Sequence, residues 1–213
     1  MSFLSNYKKN ERSKLENDAF QYLITDLIQD NLIGYKKTRE LSALNTEQLS
    51  PTTFIPSMFY IFMYTSTRME TVKGFSFYDA APLILCTGSD NNYIKGFNFN
   101  YIPNNVRAVI LDIITESYPE FYKSALDGDG NFKVNNQFGS LLTNADGLDK
   151  FMNFVKNKTN VDISKAHRNY LRKNVIKCRM IEYDMWKYIP YLVFKDAVRG
   201  VNLADVQLST IDK

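Results

Sequence analysis

The chain has 213 residues, 45% of them hydrophobic and 23% charged, with a formal net charge of +3. That balance excludes a disordered or low-complexity polypeptide and suits one hydrophobic core with appendages. No run of 18 apolar residues suggests a transmembrane helix or a membrane partner, and residues 1–18 hold no apolar stretch suited to a signal peptide, so synthesis in a cytoplasm is expected.

Residues 1–50 read as a helical arm and connector. Leu15, Ala19, Phe20, Leu23, Ile24, Leu27 and Ile28 recur at spacings of three and four, the pattern of one apolar helix face. Gly34 is a plausible stop, and the polar stretch 36–50 follows. The arm packs either on its own domain or on a neighbouring subunit. From Phe54 to Tyr64 a dense aromatic and β-branched run predicts a buried strand. A second short strand spans 82–86 and closes on the turn cluster 87–92. In 93–102, Phe97, Phe99 and Tyr101 alternate with Gly96, Asn98 and Asn100, the period of a half-buried strand.

Pro103 ends that strand, and Asn104 or Asn105 can cap a helix over 106–118, stopped by Pro119. Residues 127–149 read as a loop-rich insert. Two further helices are expected over 150–158 and 163–174, the second capped by Asp162 or Ser164, and a strand over 176–180. The fold class is therefore α+β: a small antiparallel sheet or barrel flanked by helices, with an N-terminal helical arm. Residues 51–213 form the core of what reads as a single domain.

Few patterns carry chemistry. Asp127-Gly128-Asp129-Gly130-Asn131 opens like a calcium loop, but the sixth and twelfth positions, where Gly and Glu are needed, hold Phe132 and Phe138. The one histidine, His167, has no nucleophile or acid at a familiar spacing and reads as structural. Asp112, Glu116 and Glu120 recur every four residues and read as a solvated acidic helix face rather than a two-metal site. Cys86 and Cys178 are too few for a disulfide framework or a Cys-rich zinc site and read as buried thiols in a reducing compartment. The sequence implies no catalytic residue, metal or cofactor. The 15 Phe, 14 Tyr and one Trp suit either a large protein interface or an aromatic core.

Charge distribution says more. Residues 150–199 hold twelve Lys/Arg and four Asp/Glu, a local +8, which leaves 14 against 19, or −5, for the remainder. On a helix over 163–174, Lys165, Arg168 and Arg172 would share one face. With Lys173, Lys177 and Arg179 they form a candidate basic contact surface, and Tyr170, Tyr183, Trp186, Tyr188 and Tyr191 supply candidate aromatic contacts. Such a surface suits a phosphate backbone, an acidic protein, or simply solvent. Opposite charge elsewhere also allows head-to-tail contact between copies, the arrangement that builds rings.

Four segments together resemble a known family. Ile55-Pro56-Ser57-Met58-Phe59-Tyr60-Ile61-Phe62-Met63-Tyr64 resembles a PGxxYxFxY strand, and 77–84 (FYDAAPLI) resembles YYDxxPLxx. Residues 96–107 (GFNFNYIPNNVR) resemble GLNxHYLPxxxR, and Tyr170-Leu171-Arg172 through Trp186 resembles a YL…W tail. In this order they are similar to virion-associated proteins of T-even-like and related tailed phages, often labelled DNA end protector. The resemblance covers roughly residues 54–190. It departs at Ser57, where Gly is usual, and at Asn100, where His is usual. It implies a non-enzymatic virion protein at the head–tail connector, tail or genome terminus, with other virion proteins as partners in a symmetric ring. Double-stranded DNA held by the basic segment is the alternative partner. The motif residues themselves read as scaffold, with Gly96 permitting a tight strand crossing.

Overall fold

The computed structural model describes residues 2–8, 18, 54–64, 70–72, 75–79, 81–117, 137–181, 183–192 and 198–199. The apolar helix face expected over 15–28, the connector 36–50 and the calcium-like loop 127–131 lie outside them. The architecture is α+β, as expected, with five antiparallel strands at its centre.

The strands are β1 (Phe59–Tyr64), β4 (Leu83–Ser89), β5 (Tyr93–Asn98), β6 (His167–Leu171) and β7 (Val175–Ile181), in the order β6-β5-β4-β1-β7. A separate three-stranded sheet joins β2 (Glu70–Val72), β3 (Phe75–Asp79) and β8 (Val198–Arg199). The two edge strands of the larger sheet, β6 and β7, follow one another in sequence, linked only by a 3-10 turn, Arg172–Asn174. In a flat sheet those edges would lie four strand spacings apart, roughly 19 Å. The four residue steps from Leu171 to Val175 span at most about 14 Å. The sheet must therefore curl until its edges approach, and it does: Tyr170 of β6 meets Phe62 and Tyr64 of β1 edge-on, each at 5.2 Å between ring centroids. Tyr64 Oη accepts from the Leu171 N–H at 3.3 Å and ties β6 to β1 near the turn.

Register decides which residues line this partly closed barrel. Tyr60 opposes Ile84 and Met180, Phe62 opposes Cys178, and Ile94 opposes Tyr170, so these residues share the concave face. Gly96 lies opposite Cys86. A Cβ there would stand 2.6 Å from the Leu85 carbonyl oxygen, so only glycine allows β4 and β5 to approach as they do. Ser57, just before β1, has φ 73° and donates its N–H to the Cys86 carbonyl at 2.8 Å. This left-handed backbone position is one that glycine adopts more readily than serine.

Helices cover the convex face. They are α1 (Phe3–Lys8), α2 (Asn104–Ser117), α3 (Gln137–Thr143) and α4 (Ala145–Thr159). Phe97 of β5 meets Phe151 of α4, which in turn meets Phe138 of α3. Phe59 lies edge-on to both Phe99 and Trp186, at 4.8 Å each. Among the described residues only Tyr93 and Phe154 are large apolar side chains left exposed, so the aromatic surplus there is mostly core. Both cysteines are free and buried, as expected. No described helix is long and apolar enough to cross a membrane.

The expected helix over 163–174 is not present. Asp162 does cap a helical start, its carboxylate accepting from Ser164 N at 3.0 Å, but the 3-10 turn Ile163–Ala166 ends after four residues. The chain then becomes β6, paired with β5 from Tyr93↔Leu171 to Phe97↔His167. Long-range pairing overrides a weak helical spacing, helped by His167, Asn169 and Asn174, all poor helix formers. The insert 127–149 also holds more order than expected, since α3 and the first turn of α4 fall within it; Asn144 caps α4 by accepting from Asp146 N at 3.0 Å. The β5 strand stops earlier than its alternation suggests, because Asn98 Oδ1 accepts from Asn100 N and turns Phe99–Tyr101 into a 3-10 turn.

Candidate basic interface

Loss of the 163–174 helix removes the stripe that would align Lys165, Arg168 and Arg172. Each cation takes its place from the strand or turn that carries it. Lys165 is exposed on the first 3-10 turn and Lys173 is exposed on the second. Arg168, on β6, is half-buried, with its guanidinium 5.2 Å over the Tyr101 ring. Arg172 opens the second turn, half-buried, 5.2 Å from the Phe54 ring. It lies near enough to Cys86 to act against the burial that pushes that thiol up to about 12. Arg179 opposes Ile61 and is half-buried, while Lys177 opposes Met63 in the β1–β7 register. The arginines thus lie against aromatic or strand surfaces, and Lys165 and Lys173 carry the outward charge.

Three of the expected aromatic contacts are core residues and cannot offer a ring to a base. Tyr170 is buried and its hydroxyl accepts from Asn98 Nδ2 at 2.8 Å. Trp186 is buried and its indole N–H donates to the Ile181 carbonyl at 3.1 Å. Tyr191 is buried as well. Tyr183 is half-buried against Trp186, with centroids 5.2 Å apart, and Tyr188 is half-buried with the Lys187 ammonium 4.9 Å from its ring centroid.

The structure brings other cations to the surface. Lys156 and Lys158, in the last turn of α4, are exposed, and Lys158 sits 5.6 Å from the ring of Phe154, itself 47% exposed. Asp162 lies between α4 and the first 3-10 turn. Hydrogen bonds from Ser164 hold its carboxyl below the usual range, with Lys156 and Lys165 adding to the effect, so these two lysines flank one carboxylate. Lys187 is exposed too. A sequence signal for Lys156 and Lys158 exists, since cations favour the carbonyl end of a helix. Nothing in the local pattern distinguishes Lys187.

Two further residues, His167 and Arg107, have specific partners. His167 Nε2 lies 2.8 Å from Thr87 Oγ1, and the ring is edge-on to Phe97 at 5.0 Å. Thr87 is 4% exposed, and His167 lies half-buried beside it. Desolvation, then the charges of Arg168 and Lys95, hold the imidazole below its ordinary value. Arg107, the last residue of the GFNFNYIPNNVR segment, is fully buried. Its Nε donates to the Ile102 carbonyl at 2.8 Å and its Nη1 to those of Leu192 at 2.6 Å and Ile189 at 3.4 Å. It clamps the start of α2 to the turn that ends at Leu192.

The acidic helix face is also corrected. Asp112 is only 9% exposed, and its carboxylate receives the N-terminal segment: Ser2 Oγ donates at 2.7 Å, Leu4 N at 3.0 Å, and Phe3 N to the other oxygen. Glu116 is exposed one turn later, and Glu120 lies outside the described residues. Among the described residues, no group of three or more His, Cys, Asp or Glu is placed to hold a metal ion. No family model, curated protein or solved structure matches the chain.

Proposed function

We propose that the chain is a non-enzymatic structural or assembly protein of a tailed-phage particle, placed at the head–tail connector, tail or genome terminus. The observation that carries this reading is the convergence of the four segments on which the phage resemblance rests. Phe59 of the first packs against Phe99 of the third and Trp186 of the fourth. Asn100 Nδ2 of the third donates to the Ala81 carbonyl of the second at 3.1 Å, and Asn98 bonds Tyr170. Segments scattered over more than a hundred residues thus build one interior, and this supports reading the resemblance as one of a shared core. In that interior the motif residues are scaffold, and contact with partners falls to the outward surface.

Quantitative mass spectrometry of purified, nuclease-treated particles tests the reading. A fixed copy number matching the portal symmetry is the expected result, since repeated interfaces close into rings. Absence from the particle refutes it.

A second reading, a DNA-binding protein that guards a packaged genome end, is favoured by the exposed Lys156, Lys158, Lys165, Lys173 and Lys187 within the +8 segment. It requires DNA retention that falls steeply with salt, because each neutralised phosphate releases counterions. Reversing Lys165 and Lys173 to Glu should then abolish retention; unchanged binding excludes this surface.

A further inference from the structure

The outer face of β5 and β6 is open at one end. Tyr93↔Leu171, Lys95↔Asn169 and Phe97↔His167 are cross-strand pairs on that face. Phe97 lies under Phe151 of α4, whereas Tyr93 is 40% exposed, Asn169 is exposed, and Lys95 and Leu171 are half-buried. The turn before Tyr93 fixes its backbone. Asp90 Oδ1 accepts from Asn92 N at 2.9 Å and from Tyr93 N at 2.8 Å, and Asp90 N donates to the Tyr93 carbonyl at 2.9 Å. The other Asp90 oxygen lies 3.3 Å from Lys95 Nζ. The Asn92 carbonyl accepts from Arg172 N at 2.9 Å, which joins the hairpin tip to the turn after β6. Arg172 and the exposed Lys173 thus add positive charge beside the Asp90–Lys95 pair. This end of the barrel presents one firmly mounted ring among exposed amides, those of Asn91, Asn92 and Asn169, and amines.

We propose that this end of the barrel binds single-stranded nucleic acid, with Tyr93 as the platform on which an unpaired base stacks beside the amine of Lys173. The inference rests on the DNA reading above and narrows it to unpaired bases. Stacking needs a single ring, and only where the face of a base is free, so the interior of a duplex gains nothing from Tyr93. A protein interface needs an extended apolar centre, and Tyr93 is the one large apolar side chain exposed on this face among the described residues. Amides and amines around a ring suit bases and phosphates instead. Because the turn is set beforehand by its own hydrogen bonds, little ordering is lost on binding.

Filter retention by the full-length protein tests it, with an oligothymidylate of about fifteen nucleotides and a relaxed, covalently closed circular duplex as probes. Tyr93→Leu keeps an apolar side chain opposite Leu171 but removes the ring. Its retention of the single strand should weaken about tenfold, while that of the duplex is unchanged. Tyr93→Trp should hold the single strand as the parent does, and its exposed indole should be quenched on binding; Trp186 is fully buried and serves as the constant background. Unchanged affinity in Tyr93→Leu overturns the proposal. So does an unquenched indole in Tyr93→Trp, a result that does not depend on how the leucine variant folds. Retention of the duplex without the single strand leaves the DNA reading standing and refutes this one, whereas failure to retain either refutes both. Tyr93 shielded by another protein in the assembled particle, with no single strand retained, assigns the face to a protein partner and also refutes it.

Discussion

The segment from Gly96 to Arg107 and the segment from Lys165 to Arg179 both mix polar and aromatic residues, yet the fold uses them in opposite ways. In the first, the polar groups turn inward: Asn98 and Asn100 are buried and bonded, and Arg107 sits in the core with three carbonyls around it. In the second, Tyr170 turns inward, the arginines lie half-buried on rings or strands, and Lys165 and Lys173 reach solvent. A count of positive charge overstates the contact surface in this protein, because guanidinium groups serve as packing pieces. The exposed lysines keep their strongly hydrated ammonium groups in water and, on the reading proposed above, would form the surface that meets a partner.

That contrast predicts graded damage. Trp186→Ala empties a fully buried aromatic site and should cost about 3–5 kcal/mol in urea unfolding. Arg107→Ala strips partners from buried carbonyls and should cost about 3 kcal/mol. A loss below 1 kcal/mol for both would mean that the first segment is not the scaffold described. Gly96→Ala comes next, at about 1–3 kcal/mol, since its Cβ would press on the Leu85 carbonyl and force β4 and β5 apart.

A smaller effect is a pH dependence at the join of the two segments, where His167 packs on Phe97. Its folded-state value lies below the ordinary 6.5, so the unfolded chain binds a proton more readily than the folded one. This contribution is fully present above pH 6.5 and is lost as the pH falls from there through the depressed folded value. Thermal melts across that window should show the loss in the native sequence and a flatter profile in His167→Gln. The smallest expected effect is that of Lys165→Ser with Lys173→Ser, within about 0.5 kcal/mol of the parent. A larger loss would mean that these lysines also serve the fold.

The sequence made the barrel legible where strands alternate or are bounded by Pro and turn residues. The strand at 54–64, the hairpin at 83–98 and the helix after Pro103 stand close to where pattern places them. It misled over 163–174, where Ile163, Ala166 and Tyr170 have helical spacing and are all buried, but the first two lie on a 3-10 turn and the third on a strand. Burial of Tyr170 depends on Phe62, Tyr64 and Asn98, residues 72 or more positions away, and no local window contains that information. The same holds for Asp112. Its spacing with Glu116 suggests a solvated face, and only the arrival of Ser2, Phe3 and Leu4 turns it into a buried cap. The fate of Arg107 is likewise non-local, because two of its three carbonyl partners lie beyond residue 188.

The central claim is that scaffold and contact are divided between the inward motif residues and the outward lysines. Amine footprinting tests this most directly, by comparing acetylation rates of individual lysines in the free protein and in the assembled particle. The account predicts that Lys165 and Lys173, with Lys156, Lys158 or Lys187 beside them, become protected on assembly, while Lys150, already paired with Asp146 on the far end of α4, changes little. Equal reactivity of all these lysines in both states would contradict it.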